Sequence, residues 1–338
     1  MSDPALVCLL TNPASGAGRG QGAADAARHV LKALGVRVFD ATGSSASRSL
    51  RRAHVAAAGA DAVVVVGGDG MAHLGAEVAT AHDLPLGIVP AGTGDDVARG
   101  LGLPSGDPAA STRRVVAALR EGRARSVDVL GVAGGDGAGA PEANGSPADD
   151  GERVVLGVVS AGFDAAVNAR ANSWRWPRGG SRYVLAAARE LPAHRPLRYR
   201  LVVDGVVEER EAFLVAVANT SSIGGGMQIA PDADPGDGLV DLVTVDALPA
   251  REVARVFPRV FSGRHVEHPA VTVRRAREVE LSVEAGGGYG PDAPRRATAG
   301  RDRRGRPHGP APAFGDGERL GDLPLRVQVR PGGLRVLS

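Results

Sequence analysis

Three glycine-rich strings hold the residue types that could handle phosphate: TNPASGAGRGQG at 11–22, GGDGMAH at 67–73 and PAGTGDDVARGLGLP at 90–104. Glycine has no side chain to keep an anion from backbone N–H groups, and a helix N-terminus just beyond such a loop adds a favourable dipole. In the second string Asp69 sits among three glycines, where its carboxylate can project towards Mg2+ or its waters, since that ion takes hard oxygen ligands. The plainer reading of Asp69 is an N-cap on a helix starting near Met71. In the third string Thr93 offers a hydroxyl, and Asp95 and Asp96 open a short helix, either as capping and dipole partners or, beside a phosphate, to place metal-bound water. The first string lacks the GxxxxGK[ST] of a Walker A loop. Alone, it reads equally well as a structural turn.

What positions these strings is an alternation of strands and helices. LVCLL (6–10), VRVF (36–39), AVVVV (62–66) and LGIV (86–89) are nearly continuous apolar runs and read as buried strands. Helical spacing separates them, with Ala23, Ala26, Ala27, Val30, Leu31 and Leu34 in one segment and Leu74, Ala76, Val78 and Ala79 in another. This predicts an α/β parallel-sheet nucleotide-binding domain over 1–125, with ligands outside the carboxyl ends of its strands. Beyond it the period shifts towards two in RYRLVVDG, AFLVAVAN, LVDLVTVD, VTVRR and VELSVEA, which predicts a β-rich, antiparallel sandwich-like domain over 126–338. Helices are expected there only near 181–191 and 249–262. A return of the last strand to the first domain is left open. Two segments poor in apolar residues, acidic 133–152 and basic 285–313, read as flexible insertions. The second carries Arg295, Arg296, Arg301, Arg303, Arg304 and Arg306 against Asp292 and Asp302, either as a solvated loop or as an attraction for anionic lipid headgroups.

Taken in order, N-P-x-S-G, then GGDG, then P-x-GT-x-x-D-x-A-R resemble the diacylglycerol kinase catalytic-domain family, especially its bacterial soluble lipid kinases; sphingosine and ceramide kinases share that domain. GFDAAV (162–167), ANTSSIGGGMQIAPDADPGDGLVDLV (218–243) and GDGE (315–318) extend the resemblance over nearly the whole chain.

The resemblance implies ATP contacts at Asn12, Pro13, Ala14, Ser15 and Gly16, at Thr42, at Gly67, Gly68, Asp69, Gly70, Met71, Ala72 and His73, and at Thr93. It implies a structural Mg2+ held by the Asp237 carboxylate and the main-chain oxygens of Asp234 and Leu239, a cluster that alone reads as an acidic turn. A proton acceptor falls on Glu318, with Asp316 beside it. Asp69 and Asp96 are expected to order the nucleotide's metal and its waters. The acceptor, diacylglycerol first, would place its acyl chains in an apolar groove between the domains and in the β-rich half. Trp174 and Trp176, interleaved with Arg175 and Arg178, are candidates for an interfacial lip or for ordinary packing.

Two positions depart from the family pattern. Met71 stands where GGDGT has a hydroxyl, and Asp95 where GTxND has Asn. Two other functions stay in view: a small-molecule kinase of the NAD kinase type, which shares GGDG, and a nucleotide-binding regulator that has lost catalysis. The P-x-GTGDD-x-A-R string and the DGE segment favour the lipid kinase.

Composition excludes other classes. In 338 residues there is one cysteine, Cys8, so no intrachain disulfide framework and no cysteine-rich zinc site. A net charge of +2 gives no case for a nucleic-acid partner. No apolar run is long enough for a signal peptide or spanning helix. The expectation is a cytoplasmic protein meeting its lipid transiently at a membrane surface, with homodimerisation open.

Overall fold

The computed structural model describes residues 4–13, 16–134, 152–174, 180–191, 196–283 and 311–338. Strands β1 (Leu6–Thr11), β2 (Arg37–Asp40), β3 (Ala62–Gly67) and β4 (Leu86–Pro90) pair in parallel in the order β4-β3-β1-β2. Side chains alternate across a strand, so Val7 and Leu9 enter one core and Cys8 and Leu10 the other. Helix α1 (Gly20–Ala33) covers the first face through Ala23, Ala27 and Leu31. Helices α2 (Ala46–Ala57) and α3 (Asp69–Ala81) cover the second through Ala53, Ala76 and Val78. The short α4 (Asp96–Gly100) follows β4, and α5 (Pro108–Arg120) returns to the first face with Val115 and Val116. A sheet covered on both sides needs apolar residues at every position, which is why Ala62–Gly67 is buried throughout. VRVF does not meet the expectation of a buried strand: it lies at the sheet edge with Val38 and Phe39 exposed.

The second half is built from β5 (Ala124–Gly134), β6 (Arg153–Val155), β7 (Val158–Gly162), β8 (Leu197–Val203), β9 (Val206–Ala218), β10 (Val240–Asp246), β11 (Val271–Ala276), β12 (Glu278–Val283), β13 (Pro312–Gly315), β14 (Glu318–Asp322) and β15 (Leu325–Leu337). These pair antiparallel with one another. Their inward residues, among them Tyr199, Leu201, Val217, Leu242 and Leu281, form a sandwich-like core. The fold is thus a parallel α/β sheet followed by a β-rich sandwich-like half. Strand β15 also pairs in parallel with β4 at Val336 and Leu86, and Leu334 and Val336 share a core with Leu86, Val127 and Val129.

Helices α6 (Phe163–Ser173), α7 (Gly180–Glu190) and α8 (Ala250–Val256) pack on the outer side of β7, β9 and β10, where the Phe163 and Phe213 rings lie 4.6 Å apart. After α8 the chain continues as 3-10 turns over Phe257–Ser262 and Arg264–Glu267. Helix α6 was not expected. Its apolar residues make no single stripe, and Gly162 (φ +90°) turns β7 straight into it; a Cβ there would sit 2.7 Å from the Tyr199 hydroxyl. Of the segments read as insertions, residues 133–134 belong to β5 and 312–313 to β13, while 135–151 and 285–310 lie outside the described residues. Trp176, Arg175, Arg178 and the six arginines of 295–306 lie outside the described residues, while Trp174 packs half-buried against the core under α6 and α7. No helix among the described residues is long and apolar enough to cross a membrane.

Candidate active site

Because β1, β3 and β4 are adjacent and parallel, the three glycine strings emerge side by side at their carboxyl ends. Their contact is close enough to need glycine. A Cβ on Gly92 would lie 2.5 Å from the Gly68 Cα, and one on Gly16 (φ +60°) would lie 2.5 Å from the Ala91 carbonyl oxygen. Over these loops opens a cavity of about 710 Å3. Asn12, Pro13, Gly16, Gly68, Asp69, Gly70, Met71, Thr93 and Asp96 wall it from the first half, and Gly157, Asn168, Arg182, Tyr183, Ser222, Gly225, Asp316 and Glu318 from the second.

Asp69 does not cap its own helix. Its Oδ1 accepts the Val97 amide of α4 at 2.9 Å, and its Oδ2 lies 3.2 Å from where a Cβ on Gly94 would be. Burial, then the charge of Asp96, push its pKa from 3.8 up to about 7 against the pull of the Val97 amide. A carboxylate so disfavoured calls for a cation, and Asp69 is the cavity carboxylate suited to a nucleotide-bound Mg2+.

Asp96 is differently occupied. Its Oδ1 accepts from Gly226 N at 2.7 Å and Arg99 Nη1 at 2.5 Å, its Oδ2 from Gly225 N at 2.5 Å, and its carbonyl from Ser222 Oγ at 3.2 Å. This buried carboxylate clamps the Ser222–Gly226 loop of the second half onto the first. Asp95 takes a left-handed conformation (φ +52°) and accepts the Gly92 amide at 2.8 Å, so its charge fastens its own loop. Met71 packs its side chain in the core beneath Gly67. Both departures from the family pattern therefore have structural tasks.

The Asp316-Gly317 pair forms the two-residue turn of the β13–β14 hairpin, with φ +50° and +84°. Asp-Gly is favoured where both turn residues need positive φ. The turn directs its two carboxylates apart. Asp316 buries its side chain and accepts Leu156 N through Oδ2 and Gly157 N through Oδ1, each at 2.8 Å. Glu318 is exposed to the cavity, with Oε1 3.0 Å from where a Cβ on Gly70 would be. Beneath them His73 Nδ1 lies 3.6 Å from Asp316 Oδ2. Burial opposes a charge on His73, but Asp316, Glu77 and Glu318 carry its pKa above the usual value.

Other expected contacts fall behind the cavity wall. Gly67, Ala72 and His73 do not line it. Thr42 ties the strand ends together, its Oγ1 accepting the Thr11 amide at 3.0 Å, while Gly43, Ser44 and Ser45 reach the cavity in its place. Ala14 and Ser15 lie outside the described residues. Arg182, Tyr183, Asn168 and Ser222 were not foreseen: only the triple glycine at 224–226 marks that region, and a lone arginine early in a helix carries no motif.

The Asp234–Leu239 turn lies outside this cavity. Asp237 Oδ1 accepts the Leu239 amide at 3.0 Å, Asp237 Oδ2 faces Arg275 Nη2 at 3.2 Å, and the Asp234 carbonyl accepts the Asp237 amide at 3.4 Å. The adjoining Asp128 carboxylate accepts the Gly238 and Gly332 amides, each at 2.7 Å. Both Asp237 oxygens have protein partners and Arg275 supplies the balancing charge. The Asp237 carboxylate, which the resemblance assigns with the main-chain oxygens of Asp234 and Leu239 to a structural Mg2+, is held in this turn by the Leu239 amide and Arg275.

A second, narrow cavity of about 90 Å3 lies beneath α8, walled by Phe163, Val167, Ala216, Met227, Val253, Phe257, Val260 and other apolar groups. Asp164 lines it and Asn168 lines the larger one; Asn168 Nδ2 donates to Asp164 Oδ2 at 2.9 Å, and Ile223 borders both. Buried Asp164 also accepts Ser160 Oγ at 2.5 Å, and burial raises its pKa despite these bonds.

A cleft of glycine loops and carboxylates thus lies between the parallel sheet and the β-sandwich, and Ile223 borders both it and the apolar slot. The diacylglycerol kinase catalytic domain model matches residues 6–129, and the YegS C-terminal NAD kinase beta sandwich-like domain model matches 157–338. The chain is 40% identical over 279 residues to a diacylglycerol kinase of Mycobacterium tuberculosis, covering 81% of this chain and 84% of that one. A Bacillus subtilis diacylglycerol kinase is 26% identical over 226 residues, covering 66% and 67%. A crystal structure of a Bacillus anthracis diacylglycerol kinase superposes with TM-score 0.68 at 18% identity, over 100% of this chain and 98% of that one, a likeness of fold. The chain belongs to the diacylglycerol kinase family and is a lipid kinase.

Proposed function

We propose that this kinase transfers the γ-phosphate of ATP to the primary hydroxyl of diacylglycerol, giving phosphatidic acid and ADP. The observation that carries the reading is the junction at α6: Asn168 faces the polar cavity, Asp164 one turn earlier faces the apolar one, and a hydrogen bond joins them. An acceptor with a hydroxylated head and a hydrocarbon body matches that pairing. A dinucleotide acceptor would find few polar partners in the slot under α8, where the apolar lining is broken by Ser160, Asp164 and His265.

Backbone around Asn12, Gly68 and Thr93 receives the phosphates. Bound Mg2+ would neutralise phosphate charge, and Asp69 is the residue to hold it. The lipid oxygen attacks the γ-phosphorus in line, the bond to the bridging oxygen of ADP breaks, and the hydroxyl proton passes to a carboxylate. Asp316 has committed both oxygens to backbone amides, so Glu318 is the acceptor we assign.

A membrane approach is supported by α8 and the turn after it. Their inner face, Val253, Val256, Phe257 and Val260, walls the apolar slot, while Arg251, Arg255, Arg259, Arg264 and Phe261 are exposed. Each such arginine contributes about 1 kcal/mol near an anionic bilayer. We place the enzyme in the cytoplasm with transient contact to that surface.

The test is purified protein with Mg2+, γ-labelled ATP and mixed micelles of diacylglycerol, monoacylglycerol, ceramide, sphingoid base or phosphatidylglycerol, with NAD alongside. Label in diacylglycerol supports the reading. Label in NAD alone overturns it, and label in nothing leaves a nucleotide-binding regulator.

A further inference from the structure

The polar cavity is lined by four carboxylates, Asp69, Asp96, Asp316 and Glu318, and by one cation among the described residues, Arg182. An acidic cleft repels a nucleoside triphosphate unless positive charge accompanies it, so the position of this arginine bears on where phosphate settles. It comes from α7, in the second half, and lines the same cleft as the glycine loops of the first half. Its Nε is buried with no hydrogen-bond partner. Its guanidinium carbon lies 5.5 Å from the centre of the Tyr183 ring. Tyr183 reports what surrounds this corner: burial first, then Asp69 and Asp164, raise its pKa against the pull of Arg182. Arg182 thus lines the same cavity as Asp69 and as Asn168 and Ile223, which border the apolar slot, so it shares the cleft where donor and acceptor must meet.

Resting on the kinase reading above, we infer that Arg182 binds the γ-phosphoryl oxygens of ATP and stays with that group as it moves to the acceptor. A guanidinium presents five N–H donors in a planar fork that matches two phosphate oxygens at once. A buried N–H without a partner is costly to the free protein and is satisfied when the anion arrives. The α and β phosphates rest on the glycine loops, so the arginine distinguishes a triphosphate from a diphosphate. It would also stabilise the charge spread over the equatorial oxygens during transfer.

The experiment compares wild type, Arg182→Met and Arg182→Lys by calorimetric titration with Mg-ATP and Mg-ADP, and by turnover of diacylglycerol in mixed micelles. Thermal unfolding confirms that each variant is folded. Arg182→Met is expected to weaken ATP binding about tenfold or more while ADP affinity stays within about twofold, and to lower kcat on the order of 100-fold. Arg182→Lys should restore part of both, because it returns the charge without the fork. Equal losses for ATP and ADP, or no loss for either, would overturn the inference. A wild type that prefers ATP through Arg182 but phosphorylates no lipid would sink the acceptor assignment and leave the arginine's role standing.

Discussion

The Asp316 carboxylate accepts the Gly157 amide at 2.8 Å, joining the β13–β14 turn to the strand connection that precedes β7. With the Leu156 amide on its other oxygen, Asp316 fixes the turn that presents Glu318. Asp316→Ala strands two buried amides, a loss of about 3 kcal/mol. Thermal or urea unfolding should show that loss, and activity should fall with it. A fully stable Asp316→Ala protein would contradict the fastening role.

Asp69 has the opposite balance. Its folded pKa of about 7 exceeds the 3.8 expected when unfolded, so between about pH 4 and 7 the folded state holds a proton the unfolded state has lost. Stability therefore declines as pH rises through that window and is flat above it. Asp69→Asn should stabilise the nucleotide-free protein at pH 8, by an amount on the order of a few kcal/mol, while abolishing turnover. Unfolding curves at pH 5 and 8 would show a clearly larger gain at the higher pH, since only part of the window has been crossed at pH 5; a gain of equal size at both would exclude the titration.

Asp96 ties the two halves through Gly225 and Gly226 and also holds Arg99 of its own helix. Removing a buried charge that holds a cation and two amides costs about 3–5 kcal/mol. Asp96→Ala should therefore lower the unfolding midpoint and increase protease sensitivity of the Ser222–Gly226 loop. A variant that loses turnover but keeps full stability would mean that Asp96 serves the nucleotide's metal instead.

Ala216 lines the slot beneath α8. Ala216→Leu should depress kcat/KM for dioleoylglycerol about tenfold, since added methylenes narrow the slot, yet spare dihexanoylglycerol. Equal effects on both chain lengths would show that acyl chains do not enter there.

Much of this site is legible in the sequence because its phosphate-facing parts are local. Gly68, Asp69 and Gly70 follow a buried valine run, and strand-to-helix geometry alone places them at the sheet's carboxyl edge. The Asp316-Gly317 pair is likewise a local signal for a tight hairpin. What the sequence could not show is which partner a side chain finds across the fold. Asp96 and Asp69 sit in similar acidic strings, but one meets three donors from Arg99 and a distant glycine loop while the other keeps an oxygen for the cavity. Arg182 reaches the cleft only because α7 packs beside α6, and α6 itself has no apolar stripe to reveal it. Val38 and Phe39 look like core residues until the strand order puts β2 at the edge.

The central claim is that Glu318 takes the lipid's proton in a cleft whose nucleotide contacts lie elsewhere. Turnover of dioleoylglycerol by wild type and Glu318→Gln, measured beside the ATP affinity of each, tests it most directly. In Glu318→Gln kcat is expected to fall roughly 10²- to 10⁴-fold, with ATP affinity and unfolding midpoint unchanged. Wild-type turnover by Glu318→Gln would contradict it.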